Sequence, residues 1–455
     1  MSRYPASAVA VSTLALALSV GATGCGTRVD RQAYLQSLTQ TRVAQGPVEP
    51  VAGTAAGPVE QAAEISAAPG PRATSGSMAK QEGAKAAGPV KDSGLSQEVA
   101  GEIARVGFHV PMTGAAPMPT NYSDTIVAIQ KWLNAEARVY GRGIEFVVED
   151  DGYDATKSAS ACRKLADANP LFVIGHTMPA GQDACARLFN ERKIPYMMRG
   201  TYPEILNGRP YTYFGTIADH YQGRYLAQYV LKNYPSKAKK AAVVYQNDQI
   251  SAKDNFVATI EQGGGKIVVL DLCVPRQPDW AATIQKLQTA GAEVVLLSMP
   301  PVDAIKMSVQ AQGQGYHPLW LGGSSWWNYN MVLESAGMAL DGAIVLSSWA
   351  SIDTAAAEEY KAIMKKYAPN TTPDDIGFVM YGWSMLLREA ELKAGPNLSR
   401  ATLVEALNSL QFSKPYWHPV TYTATNHQGA TTVAVFRADG QAKRWRQITG
   451  FTSSF

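Results

Sequence analysis

Apolar, β-branched runs alternate with stretches of helical apolar spacing along most of the chain, and the alternation predicts strands and helices in turn. Ile103–Val110 is the first such run and stops at Pro111; a helix is predicted over Ser123–Arg138, with Ser123 as its N-cap. Strand Ile144–Glu149, helix Ala155–Ala168 and the buried-strand run Leu171–Ile174 follow, then helix Ala180–Asn190 and strand Ile194–Met198. A second series begins with helix Tyr221–Asn233 and strand Ala241–Tyr245, then helix Ser251–Gly263 and strand Lys266–Leu270. It continues with helix Asp279–Ala290, strand Glu293–Ser298, helix Val302–Gly313 and strands Pro318–Leu321 and Ala343–Ser347. Continuous apolar strands between amphipathic helices specify parallel sheets covered on both faces. The expected fold class is therefore α/β, with two doubly wound parallel-sheet lobes. The tail differs, with helices predicted at 354–367, 374–394 and 399–409 and strands near 420–422, 431–437 and 443–448.

The first hundred residues lack this pattern. Residues 1–25 carry one early positive charge, Arg3, then small and apolar residues from Ala6 to Val20, about the length of a signal-peptide core. The run ends in Ala22-Thr23-Gly24-Cys25, which resembles a bacterial lipobox, with Cys25 as the lipidated residue; Ala22 departs from the commoner leucine. An ordinary secretory signal with a chance cysteine is the alternative. Residues 26–101 are rich in Ala, Gly and Pro, with Gly-Pro recurring at 46–47, 57–58, 70–71 and 88–89. Such a segment buries too little apolar surface to offset its ordering entropy, and it reads as a disordered tether. No later segment offers about 18 unbroken apolar residues, so a lipid anchor at the cell membrane is the expected attachment of an extracytoplasmic body.

Composition narrows the function. The chain has 455 residues, 46% hydrophobic and 17% charged, with a formal charge of +3. Length asks for more than one core, and near-neutrality without a basic stripe argues against nucleic acid as a partner. No cofactor is expected: Gly263-Gly264-Gly265-Lys266 lacks phosphate-loop spacing. Glu149-Asp150-Asp151 suits a strand-end turn with capping acids better than a metal site.

In open parallel sheets ligands bind beyond the carboxyl ends of the strands. Three such segments stand out: Val110–Pro119 with Thr113, Gly175–Ala180 with Thr177 and Met178, and Arg199–Tyr202 with Thr201 and Tyr202. Each brings a hydroxyl, and together they are candidates to hold a carboxylate or another electron-rich group.

The order of these pieces resembles the type I periplasmic-binding-protein fold, specifically the leucine/isoleucine/valine-binding family of ABC-transporter receptors. The similar stretches are VGFHVPMTG at 106–114, VVEDDGYDATKSASACRKL at 147–165 and FVIGHTMPAGQDACARLFNERKIPYM at 172–197. AAVVYQNDQIS at 241–251 and EVVLLSMPPVDAIKMSVQAQGQGY at 293–316 continue them, so the resemblance spans roughly 103–425. It implies two lobes joined by three crossings and closing on a small ligand. Residues 102–217 and 348–420 would form lobe one, 218–347 lobe two, and 421–455 C-terminal strands partly returning to lobe two. It also implies a disulfide between Cys162 and Cys185, worth about 3 kcal/mol in the loop-entropy model. Cys273 reads as a small buried apolar residue. The second lobe's contact loops would be 246–251, 299–303 and 322–327, which adds Asp248 and Trp326 to the ligand-binding candidates. The loop after Ser298 has no acid before Asp303, a departure from amino-acid-binding members. Met112, Met118, Met178, Met299, Trp326, Trp327 and Trp349 suit either an apolar ligand body or core packing.

The expected role is a solute-binding receptor of an ABC importer, its partners a small organic ligand, a membrane permease and an ATPase. The ligand would be an amino acid, an amide or an aromatic acid. An exported enzyme using the same cleft is the first alternative, although neither Gly-x-Ser-x-Gly nor His-Glu-x-x-His occurs. A ligand sensor without transport is the second.

Overall fold

The computed structural model describes residues 103–114, 121–324 and 327–455. The signal peptide with Cys25, the tether, Met118 and Trp326 lie outside the described residues. Two parallel sheets carry the fold. The first is built from β1 (Ile103–Val110), β2 (Gly143–Asp150), β3 (Phe172–Gly175), β4 (Tyr196–Met198) and β5 (Thr212–Phe214) in the order β2-β1-β3-β4-β5. Its helices are α1 (Asn121–Glu136), α2 (Ala155–Asp167) and α3 (Pro179–Glu191). Helix α1 begins two residues ahead of the expected N-cap, so Ser123 lies inside its first turn beside Asp124, an acid suited to the helix dipole. Asp154 caps α2 by accepting from the Lys157 N–H.

The chain then crosses to the second sheet. Helices α4 (Asp219–Asn233), α5 (Pro235–Ala238), α6 (Ile250–Gln262), α7 (Ala281–Thr289) and α8 (Pro301–Gly313) cover β6 (Ala241–Tyr245), β7 (Ile267–Leu272), β8 (Val294–Ser298), β9 (Leu319–Gly322) and β10 (Ile344–Ser347). These five strands are parallel in the order β7-β6-β8-β9-β10, the same pattern as in the first sheet. Helix α9 (Asn330–Ala336) precedes β10. A second crossing leads to α10 (Glu358–Tyr367), α11 (Asp375–Ala394), α12 (Arg400–Leu407) and the hairpin β11 (Gln411–Lys414)–β12 (Trp417–Thr421). A third returns the chain to the second sheet, where β13 (Ala434–Asp439) and β14 (Arg444–Gln447) extend it antiparallel from β10.

Each sheet is buried on both faces. Val106, Phe108 and Val110 of β1 and Phe172 and Ile174 of β3 face α1 and α11; Val173 faces Cys162, Cys185 and Phe189 on α2 and α3. The disulfide Cys162–Cys185 is formed and ties α2 to α3, with 5.6 Å between the Cα atoms. Cys273 is buried and free. Among the described residues no helix is long and apolar enough to cross a membrane.

Candidate functional site

Strand order locates the site. In both sheets the connections reverse direction between the first and third strands of the lobe, and an open α/β sheet leaves its crevice at that point, beyond the carboxyl ends. In the first lobe these ends are β1 and β3; in the second they are β6 and β8. The two crevices meet. A cleft of about 530 Å³ lies between Tyr153 and Met178 on the first lobe's side and three strand-end segments of the second. Those segments are Gln246–Asp248 after β6, Leu272–Arg276 from the last residue of β7 onward, and Pro300, Val302 and Asp303 after β8. The volume falls within the range of small-molecule sites, and most of the lining is apolar.

Behind the first lobe's side of the cleft lies a buried hydrogen-bond network. Asp150, at the end of β2, accepts from the backbone N–H groups of Met112 (2.8 Å) and Thr113 (3.1 Å) and from the Thr113 hydroxyl (2.5 Å). Its neighbour Asp151 is fully buried, accepts the Thr177 hydroxyl at 2.8 Å and the Tyr153 N–H at 3.0 Å, and faces His109 Nδ1 at 3.0 Å. His109 Nε2 lies 2.7 Å from the Tyr196 hydroxyl. Gly175 lies against this pair, and a Cβ there would collide with both His109 Nε2 and the Tyr196 hydroxyl. His176 is buried edge-on against Trp383, 5.4 Å between ring centroids, and burial with the Arg199 charge holds its imidazole well below the usual range. Arg199, 1% exposed, is paired with Asp219 at 3.0 Å. Burial outweighs that pairing and lifts the Asp219 carboxyl to about 6.

The second lobe's wall is acidic and apolar. Asp303, 1% exposed, accepts from Gln246 Nε2 at 2.7 Å and from the Arg276 N–H at 3.0 Å, which joins the loops after β6, β7 and β8. Burial raises the Asp248 carboxyl above its ordinary value. The Cys273 thiol, pushed up to about 12 mainly by burial, donates to the Tyr245 carbonyl and is not a nucleophile at neutral pH.

Two similar lobes, like-ordered sheets, three crossings and a cleft at both switch points are one architecture, and a family of proteins shares it. The family model described as periplasmic binding protein matches residues 104–443. The chain belongs to the periplasmic binding protein family. Among the members it resembles is a Leu/Ile/Val-binding protein homolog of Brucella melitensis, 23% identical over 342 residues, 73% of this chain and 91% of that protein. A fatty acid ABC transporter substrate-binding protein from Thermomonospora curvata superposes with a TM-score of 0.68 at 20% identity, over 80% of this chain and 96% of that one. A branched-chain amino acid ABC transporter structure from Thermus thermophilus with bound valine gives 0.67 at 18% identity, over 78% and 97%.

Within this periplasmic binding protein the predicted residues separate. Met178 and Asp248 line the cleft, with the loops 246–248 and 300–303 around them. The Thr113 and Thr177 hydroxyls stand at the expected strand ends but are given to Asp150 and Asp151. Thr201 is buried, with no hydrogen-bond partner for its hydroxyl. Tyr202 packs half-buried beside the α2–α3 core, near Asp183 and Arg209, away from the cleft lining. Met299, Trp327 and Trp349 are core residues. Tyr153 and the segment 272–276 escaped the sequence reading. The strand-end rule that found the other loops applies equally to Cys273-Val274-Pro275, which directly follows β7.

Proposed function

We propose that this protein is a solute-binding receptor of an ABC importer, lipid-anchored through Cys25 outside the cytoplasm, whose lobes close on a small organic ligand. Residues 102–217 and 348–420 act as one lobe and 218–347 as the other, with the C-terminal strands completing the second. The observation that carries the reading is the cleft itself: both lobes contribute to it, and it sits at the switch point of each sheet. A ligand that touches both walls only when they approach shifts an open–closed equilibrium, and a membrane permease reads the closed form. The names of the relatives suggest the starting ligands: branched-chain amino acids and carboxylic acids with apolar bodies. The chemistry of the cleft supports binding over catalysis, since its thiol is protonated and its histidines are held in buried networks.

A thermal-shift screen of the mature chain against amino acids, amides, amines and aromatic acids tests this. A ligand at 100 times its dissociation constant adds about 2.7 kcal/mol, visible as a raised melting temperature. Recovery of the ligand unchanged supports a receptor, and its chemical conversion supports an enzyme instead. Pull-down of a permease by the liganded form separates transport from sensing.

A further inference from the structure

The buried charge of the cleft has one sign. On the first lobe's side, the strand-end donors of Met112, Thr113 and Thr177 are taken by the protein's own acids. The Met112 and Thr113 N–H groups and the Thr113 hydroxyl go to Asp150, and the Thr177 hydroxyl goes to Asp151. On the opposite wall stand two carboxylates, Asp248 on the loop after β6 and Asp303 in the first turn of α8. Asp303 is almost wholly buried, yet its Oδ1 accepts no hydrogen bond. Asp248 accepts a hydrogen bond from the Gln249 side chain and feels the Arg199 charge, and it makes no direct ion pair among the described residues. Two cations lie nearby. Arg199 is already held by Asp219, and the Arg276 side chain is exposed at the cleft's mouth, where solvent screens it. Buried acids without a counter-charge are costly unless a cation completes them. The remaining lining, Met178, Leu272, Val274, Pro300 and Val302, is apolar.

Resting on the receptor reading above, we infer that the ligand is an organic amine lacking a carboxylate, with its ammonium between Asp248 and Asp303. An ammonium offers the counter-charge that both acids lack and a donor for the unpartnered Asp303 Oδ1. Its aliphatic or aromatic body, roughly five to ten carbons in a cleft of this size, packs on the apolar residues. A carboxylate on the same body would face the two acids with the Thr113 and Thr177 donors already spent.

The test is calorimetric titration of the full mature chain with isosteric sets on two bodies. These are 3-methylbutylamine, leucine and 4-methylpentanoate, and 2-phenylethylamine, phenylalanine and 3-phenylpropanoate. At least one amine should bind about tenfold or more tightly than both of its isosteres. D248N, at a partly exposed position, should weaken that amine by about tenfold and leave the melting temperature of the free protein unchanged. D303N should weaken the amine comparably, with its folding checked by circular dichroism, and R276A, which removes a like charge from the cleft's mouth, should raise the affinity. The proposal is overturned if neither amine binds, if an acid or amino acid binds more tightly, or if R276A abolishes binding. In those last two cases the receptor reading stands with a different ligand, whereas conversion of a bound compound would remove the receptor reading itself.

Discussion

Glu391 of α11 is a carboxyl group with no function in the cleft and a large effect on stability. It is buried, its Oε1 accepts no hydrogen bond, and burial lifts its carboxyl to about 7 against the pull of Arg142 and Arg388. An unfolded glutamate titrates near 4.3, so between that pH and about 7 the folded chain keeps a proton that the unfolded chain has shed. Stability therefore falls as pH rises through this window, by about 3 kcal/mol from this group once pH exceeds 7. Asp219, lifted to about 6, acts in the same direction. His418 acts oppositely: burial holds it neutral and down at about 4, so stability is lost as pH falls from about 6.5 toward that value. Comparing urea denaturation of E391Q and the natural protein at pH 5 and pH 8 isolates the glutamate. The variant should lose most of the decline between those two pH values, and an unchanged decline would assign it to other groups.

Helices and strands repeat this lesson at the next scale, where two contacts carry measurable weight. Gly223 lies on α4 where it crosses α6, and a Cβ there would collide with the backbone carbonyl of Ala252. G223V should cost about 1–3 kcal/mol in chemical denaturation by forcing these helices apart, while G264V, on an open turn, tests only glycine's conformational freedom. The Cys162–Cys185 bridge closes a loop with a sequence separation of 23, and replacing both cysteines by alanine should cost about 3 kcal/mol under oxidising conditions. Reducing agent should lower the natural protein to the same level. The α/β alternation was legible in sequence because β1, β3, β6 and β8 are nearly unbroken apolar runs, a signal that survives without knowledge of tertiary contacts. Short elements were not legible. Strand β5 has three residues and α9 seven, too few to show a period, and β11 reads Gln-Phe-Ser-Lys with one buried position. The cleft loops after β6 and β8 were legible for the same reason as the strands, since a loop's place follows from the strand before it, whereas the segment after β7 was passed over. Which side chains in them meet a ligand was not. Thr113 and Thr177 look like free donors until the fold brings Asp150 and Asp151 against them.

At the scale of the whole molecule, the Arg199–Asp219 pair spans the first crossing between lobes, from the end of β4 to the first turn of α4. Both side chains are nearly inaccessible, and Gln222 Nε2 also approaches Asp219 Oδ1 at 3.3 Å. A second link runs between the lobes: the Asn330 N–H at the head of α9 donates to Asp375 at the head of α11. Tyr329 there stacks on Trp349, and Trp349 on Trp417, at centroid separations of 5.6 and 6.0 Å. A buried ion pair gains little over apolar residues of similar volume, but removing one partner strands the other charge. R199M should therefore cost about 3–5 kcal/mol at pH 8, where Asp219 is ionised, and less at pH 5, where the stranded carboxyl takes up a proton. R199M/D219L should recover much of the loss at pH 8. Ligand affinity then separates two roles for the pair. A double variant with restored stability and unchanged affinity would mark the pair as a structural link alone. Restored stability with weakened binding would mark it as the pivot that sets the closed geometry, because neither Arg199 nor Asp219 lines the cleft.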